Sequence, residues 1–350
     1  MTADPTAHGT TTTDVLVAGG GPVGLAAAVE ARLAGHDVVV VEPRAGAIDK
    51  ACGEGLMPGT LRALARLGVD PDGHPLRGIS YRAPGRHVDH PFRSGPGRGV
   101  RRTTLHAALA ARAAELGVRV LARRVTDVDQ DADGVRAAGV EARWLLACDG
   151  LHSTVRRVTG LDADERPAGP RRRFGLRRHV RTAPWTDLVE VHWAPAAEAY
   201  VTPVGDDLVG IALLGPPGMA FDDVLAGFPE LVERIAGAEP AGAVRGAGPL
   251  RQRAVRRTAG RVRLVGDASG YVDALTGEGL RVGLAQARAA VLTLDDPRAY
   301  ERAWVEATRD YRILTGGLVA WATSPLRRGI VPVAAGIPPL FGAIVERLAR

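Results

Sequence analysis

The spacing of hydrophobic and polar positions alternates along the chain between helical and strand periods. Residues 14–18 (DVLVA) are a short apolar run of the kind that forms a buried strand. A glycine-rich turn follows, then helical spacing over 25–34 closed by Gly35, then a second apolar strand over 37–41 that ends on Glu42. Residues 58–67 repeat the helical pattern and stop at Gly68. From 78 to 98, short alternating segments broken by Pro and Gly predict strands of a separate sheet. A helix is expected over 104–116, strands over 118–121 and 125–128, and a hairpin from 134–140 and 142–146 leading to Cys148. Residues 171–214 read as strand-rich, with Val189, Val191 and Trp193 alternating, and 221–235 as a helix. A buried strand over 261–266 leads through a second glycine-rich turn into a helix over 279–294. The tail, 300–350, is helical and apolar, but Pro325, Pro332, Pro338 and Pro339 rule out one long straight helix.

Composition narrows the class. Hydrophobic residues at 46% and charged residues at 24% are ordinary for a soluble enzyme with a sizeable core. The net charge of +6 is nearly all arginine, Lys50 being the one lysine, and the arginine clusters, such as Arg123-Arg124, Arg171 to Arg173 and Arg327-Arg328, are scattered. Aromatics are only 4% and do not interleave with them, so no nucleic-acid surface is predicted, and the guanidinium groups are expected on solvated helices and loops. Two cysteines, Cys52 and Cys148, make neither a disulfide framework nor a metal site and suit a reducing cytoplasm. Residues 1–13 lack an apolar stretch and read as a flexible arm, not a signal peptide. No run of ~18 apolar residues predicts a transmembrane helix.

The chemistry begins at GGGPVG, with Gly19, Gly21 and Gly24 in the spacing of a dinucleotide turn. The first glycine permits the turn, the second lets backbone approach a pyrophosphate, and the third lets helix pack on strand. The helix N-terminus then faces the phosphates. Glu42, 18 residues beyond Gly24, ends the second strand where a carboxylate can accept from ribose hydroxyls.

Two later motifs carry a resemblance. Residues 148–156 (CDGLHSTVR) resemble the DGxxSxVR box of the single-component flavoprotein hydroxylase superfamily, and Gly266-Asp267-Ala268 resembles its GDA box. The resemblance implies FAD as cofactor, with Asp149 and Gly150 at its site, Asp267 on the ribityl chain, and Arg102 near the pyrophosphate. Residues 266–279 (GDASGYVDALTGEG) look more like the geranylgeranyl reductase branch of the same superfamily. Phenol hydroxylases carry His and Asn where this chain has Gly270 and Arg281. Gly277, Glu278 and Gly279 open a helix whose N–H groups can face the flavin's pyrimidine edge. KACGEGL (50–56) resembles that branch's CGGGL segment, which makes Cys52 a candidate flavin-proximal thiol or else a small filler in a tight loop. The reductases' aromatic signature is reduced to YVTP, 200–203, where Tyr200 is a candidate to orient substrate or else a packed sheet residue.

Together these imply an α/β fold: a discontinuous Rossmann-type FAD-binding domain (14–77, 99–165, 255–299), an inserted β-sheet substrate domain (78–98, 166–254) and a helical C-terminal cap (300–350). Two reactions follow. A monooxygenase activates oxygen at the flavin C4a position and needs no protein nucleophile, which suits the few candidate side chains. A reductase adding hydride to a C=C bond of a prenyl chain suits the TGEG and CGEG segments. A halogenase is set aside for lack of a WxWxI run and of lysines beyond Lys50, and an adaptor role has no motif behind it. Few charges in 201–217 and the apolar tail imply a lipophilic substrate. KACGEGLMP (50–58) resembles flavoproteins that accompany type III polyketide synthases, which implies hydroxylation of an alkyl-phenolic or polyketide ring. NAD(P)H is expected as a transient donor, with no metal. The tail is expected either to complete the core or to touch a membrane, with Arg327 and Arg328 on lipid headgroups.

Overall fold

The computed structural model describes residues 11–163 and 172–350. Its first sheet has eight strands. Five run parallel, in the order Val262–Leu264, Val140–Ala147, Thr11–Ala18, Val38–Val41, Arg119–Leu121. Parallel strands are covered on both faces, which is why 14–18 and 37–41 read as unbroken apolar runs. Val15 and Val17 pack under the helices Pro22–Leu33, Arg102–Glu115 and Gly279–Leu292, while Leu16 and Ala18 join Leu145, Val262 and Leu264 on the other side.

The second sheet also has eight strands and is antiparallel except where Leu188–Trp193 runs alongside Gly78–Ala83. Its faces divide by alternation. Val209, Ile211 and Leu213 pack on the short helices Phe221–Leu225 and Pro229–Arg234, whereas Ala212 and Leu214 join Val191, Trp193 and Tyr200 on the opposite face. A third, three-stranded sheet (Gly55–Leu56, Gly97–Gly99, His74–Leu76) lies at the junction.

Five expectations are corrected. Residues 11–13 are not part of a flexible arm: Thr11, Thr12 and Thr13 pair with Val140, Glu141 and Ala142, as suits three β-branched side chains, while residues 1–10 lie outside those described. Residues 125–128 are not a strand. Val125 is buried by side-chain packing alone, and the pairing backbone starts at Asp129–Gln130. The helix over 221–235 is two helices, because Pro229 forces Phe228 out of helical geometry (ψ 71°). The arginines are not all solvated: Arg156, Arg173, Arg177, Arg263 and Arg327 are buried. The tail is a long helix, Pro297–Ala322, beginning three residues before the expected cap. A 3-10 turn (Pro325–Gly329) and helices Ile330–Gly336 and Pro338–Ala349 follow, with a 99° bend at the second break.

Candidate functional site

A cavity of about 770 Å³ runs from the Gly19–Gly24 turn, between the two large sheets, to the C-terminal helices. At one end the backbone is shaped for a ligand. Gly19 has φ +100°, and a Cβ at Gly24 would lie 1.9 Å from the Gly19 carbonyl. A Cβ at Gly21 would meet nothing within 4 Å, so backbone there faces open cavity. The helix Pro22–Leu33 has no side-chain cap, leaving its first N–H groups for a ligand. Glu42 accepts from Gly20 N–H (2.9 Å) and from the Arg44 backbone and guanidinium. Burial opposes its ionisation, but the hydrogen bonds from Arg44 and Gly20 outweigh burial and hold its carboxyl below the usual range. Arg102 lines the cavity, and its buried Nε has no partner among the described residues. This open turn, the Arg102 guanidinium and the Glu42 carboxylate at the end of the second strand fit a flavin dinucleotide.

The two superfamily boxes do different work. Asp149 caps a helix: its carboxylate takes Ser153 Oγ–H (2.5 Å) and Val155 N–H (3.0 Å), so what it and Gly150 (φ +82°) offer the cavity is backbone. Arg156, from the same box, is buried and donates to the Ala268 carbonyl, fixing the GDA turn. Asp267 stays half-exposed in the cavity wall, 3.7 Å from Lys50 Nζ. Thr276, Gly277 (φ +69°), Glu278 and Gly279 form the turn into Gly279–Leu292. Glu278 is sealed against Arg281 with Oε1 unpartnered, and burial, opposed by Arg281, raises its carboxyl to about 7.

The two candidates for catalysis differ in what holds them. Cys52 is half-buried and its Sγ accepts the Glu54 N–H at 3.4 Å. Tyr200 lines the cavity, but its hydroxyl donates to the Leu275 carbonyl (2.7 Å) and ties the second sheet to the turn at 276–279. Among the described residues no cluster of His, Cys, Asp or Glu is placed to hold a metal.

Sequence reading missed three features. Glu54 (φ 59°) is buried and joins three segments, taking Arg102 N–H (2.8 Å) and His179 Nε2–H (2.6 Å) while Arg177 bridges His179 and Asp49. Arg173, Arg327, Glu198 and Asp273 form a buried ion network in which Arg173 bridges Glu198 (2.7 Å) and Asp273 (2.9 Å), and Arg327 reaches Glu198 at 2.7 Å. Arg327 therefore does not face lipid headgroups, since its guanidinium is spent on Glu198 and on the Ala194, Ala197 and Ala322 carbonyls. Tyr81, between Trp193 and Phe341, presents the cavity with a hydroxyl that has no hydrogen-bond partner among the described residues. The one signal for the buried groups was polar residues at alternate places in strands, Arg177 with His179 among them.

Residues 12–200 match a family profile described as "FAD binding domain". The menaquinone reductase of Mycolicibacterium smegmatis is 31% identical over 84% of this chain and 80% of its own. Digeranylgeranylglycerophospholipid reductase 1 of Methanopyrus kandleri is 31% identical over 85% and 87%. Among solved structures, p-nitrophenol 4-monooxygenase from Pseudomonas putida superposes with TM-score 0.78 over 97% of this chain and 99% of that one, at 20% identity, a likeness of fold. The chain belongs to the FAD binding domain family and is an FAD-dependent oxidoreductase.

Proposed function

We propose that the protein is an NAD(P)H-dependent monooxygenase that hydroxylates a lipophilic phenolic ring bearing an alkyl or polyketide-derived chain. The observation that carries this reading is the character of the cavity's far end. Ile79, Val191, Leu214, Leu318, Trp321 and Phe341 wall it with aliphatic and aromatic surface, and Tyr81 supplies a polar group free to meet a ligand. Bound FAD supplies the redox chemistry, accepting reducing equivalents and activating oxygen. The chain does the rest. The Gly19–Gly24 turn, Glu42 and Arg102 hold the dinucleotide, and the second sheet and C-terminal helices exclude water around the reacting ring. Tyr81 stays neutral because burial pushes its phenol up, so it donates a hydrogen bond to a substrate hydroxyl and aims the ring. Val333, Ile337, Leu340 and Ile344 line the cavity yet are 42, 49, 49 and 37% exposed, and residues 311–345 contain no Asp or Glu. This rim, as part of the same proposal, rests on a lipid bilayer from which the substrate enters.

A second reading, reduction of a prenyl C=C bond, draws support from the two reductase relatives that cover most of this chain. That reaction needs a proton as well as a hydride at carbon; the Tyr200 proton is committed to the Leu275 carbonyl, whereas Cys52 only accepts the Glu54 N–H and keeps its own S–H uncommitted. Incubation of the holoenzyme with NADPH, an alkylphenol and ¹⁸O₂ separates the readings. One ¹⁸O atom in the product is expected. A product without ¹⁸O, two hydrogens heavier and formed only from an unsaturated chain, would establish the reductase instead.

A further inference from the structure

A second cavity, of about 580 Å³, is lined by five arginines: Arg251, Arg253, Arg257, Arg309 and Arg312. Its one acidic lining residue is Asp267, which also lines the flavin cavity, as do Gly266, Tyr271 and Gly279. The two spaces therefore share the wall that carries the GDA turn.

Three of them, Arg257, Arg309 and Arg312, are under-compensated. Arg257 and Arg312 crowd one indole, their guanidinium carbons 3.7 and 5.2 Å from the centre of the Trp304 ring. Glu301 lies 3.7 Å from Arg257, but its other oxygen is held by Arg257's own backbone N–H at 2.6 Å, and the buried Arg257 Nε bonds nothing among the described residues. Arg309 reaches Asp310 only at 3.9 Å, and Arg312 has no acidic partner among the described residues. Burial, aided by the charge of Arg312 and resisted by Glu301, holds the Arg257 guanidinium below its usual range. A ligand with several negative charges would relieve that repulsion, and guanidinium forks match phosphate geometry. Such a ligand would also touch the flavin wall mechanically: Trp304 Nε1–H donates to Ser269 Oγ (2.8 Å), which in turn donates to the Gly266 carbonyl.

We propose that this arginine-lined cavity binds the phosphate groups of the nicotinamide dinucleotide donor, an inference that rests on the donor assigned under the proposed function. Neither the pyrophosphate nor a 2′-phosphate is singled out by the wall, so both are tested.

The test is binding to the oxidised holoenzyme, followed by calorimetry with NADP⁺, NAD⁺ and adenosine 2′,5′-bisphosphate, none of which turns over. Arg309→Gln and Arg312→Gln alter exposed side chains, so flavin content and Tm should match the wild type. The double variant should weaken dinucleotide binding about 10–100-fold. Loss confined to NADP⁺ and the bisphosphate would assign the 2′-phosphate, and equal loss for NAD⁺ the pyrophosphate. Unchanged affinity in the double variant, with wild-type protein binding NADP⁺ normally, would overturn this site and leave the donor reading standing. A wild-type holoenzyme that binds neither dinucleotide at millimolar concentration would overturn both.

Discussion

Glu278 shows what burial does to a single side chain. It sits at the start of Gly279–Leu292, with Arg281 on one oxygen and nothing on the other, and its carboxyl titrates near 7. Because the folded value lies above the ordinary 4.5, its stabilising effect is complete below pH 4.5 and is lost as pH rises through 7. The difference amounts to about 3 kcal/mol. Glu278→Gln should therefore match the wild type near pH 5 and become the more stable protein by pH 8, read as Tm of the flavin-free forms; parallel curves would sink the idea. At this scale the sequence speaks clearly where a residue's role follows from local backbone. Gly19, Gly24 and Glu42 are of that kind, since a turn, a helix packed on a strand and a strand end define them. Glu278 was recognisable as part of a flavin-side segment, but not as a sealed acid, because sealing depends on distant elements.

Among the elements, the 49–55 loop is the one most dependent on its neighbours. Thr202 Oγ donates to the Gly53 carbonyl, and Glu54 binds both the first turn of Arg102–Glu115 and His179 of the strand Phe174–Arg181. Glu54 also holds φ 59°, a backbone state that costs a non-glycine residue energy and persists only where surroundings enforce it. Glu54→Ala should cost about 3 kcal/mol by leaving His179 and Arg102 N–H without an acceptor. Loss of flavin should accompany the loss of stability, since Arg102 lines the same cavity; a variant with unchanged Tm and full flavin content would contradict this role. The partner of Glu54 is 125 residues away, so spacing alone could not reveal it. The same limit explains residues 125–128: a strand needs a neighbouring backbone, and apolar alternation reports only burial.

For the whole molecule, the order of parallel strands and inserts was readable because apolar runs, glycine turns and helix stops agree along the chain. The seating of the tail was not, because its apolar face and its prolines are compatible with several packings. Its exposed rim carries a test of the proposed membrane contact. Wild-type protein should float with vesicles containing anionic phospholipid, and Ile337→Glu with Leu340→Glu should abolish flotation without changing flavin content; equal flotation of both would remove the bilayer from the proposal. The buried network has a different consequence, one that concerns the making of the protein. Glu198 is 0% exposed and lies between Arg173, which precedes it, and Arg327, which follows it far along the chain. Domains generally fold as units during synthesis, N-terminal ones first. Here a carboxylate in the middle of the second sheet lacks one of its two cations until the segment that carries Arg327 has been made. The second sheet therefore completes its buried charge balance around Glu198 only when the helical segment bearing Arg327 docks on it.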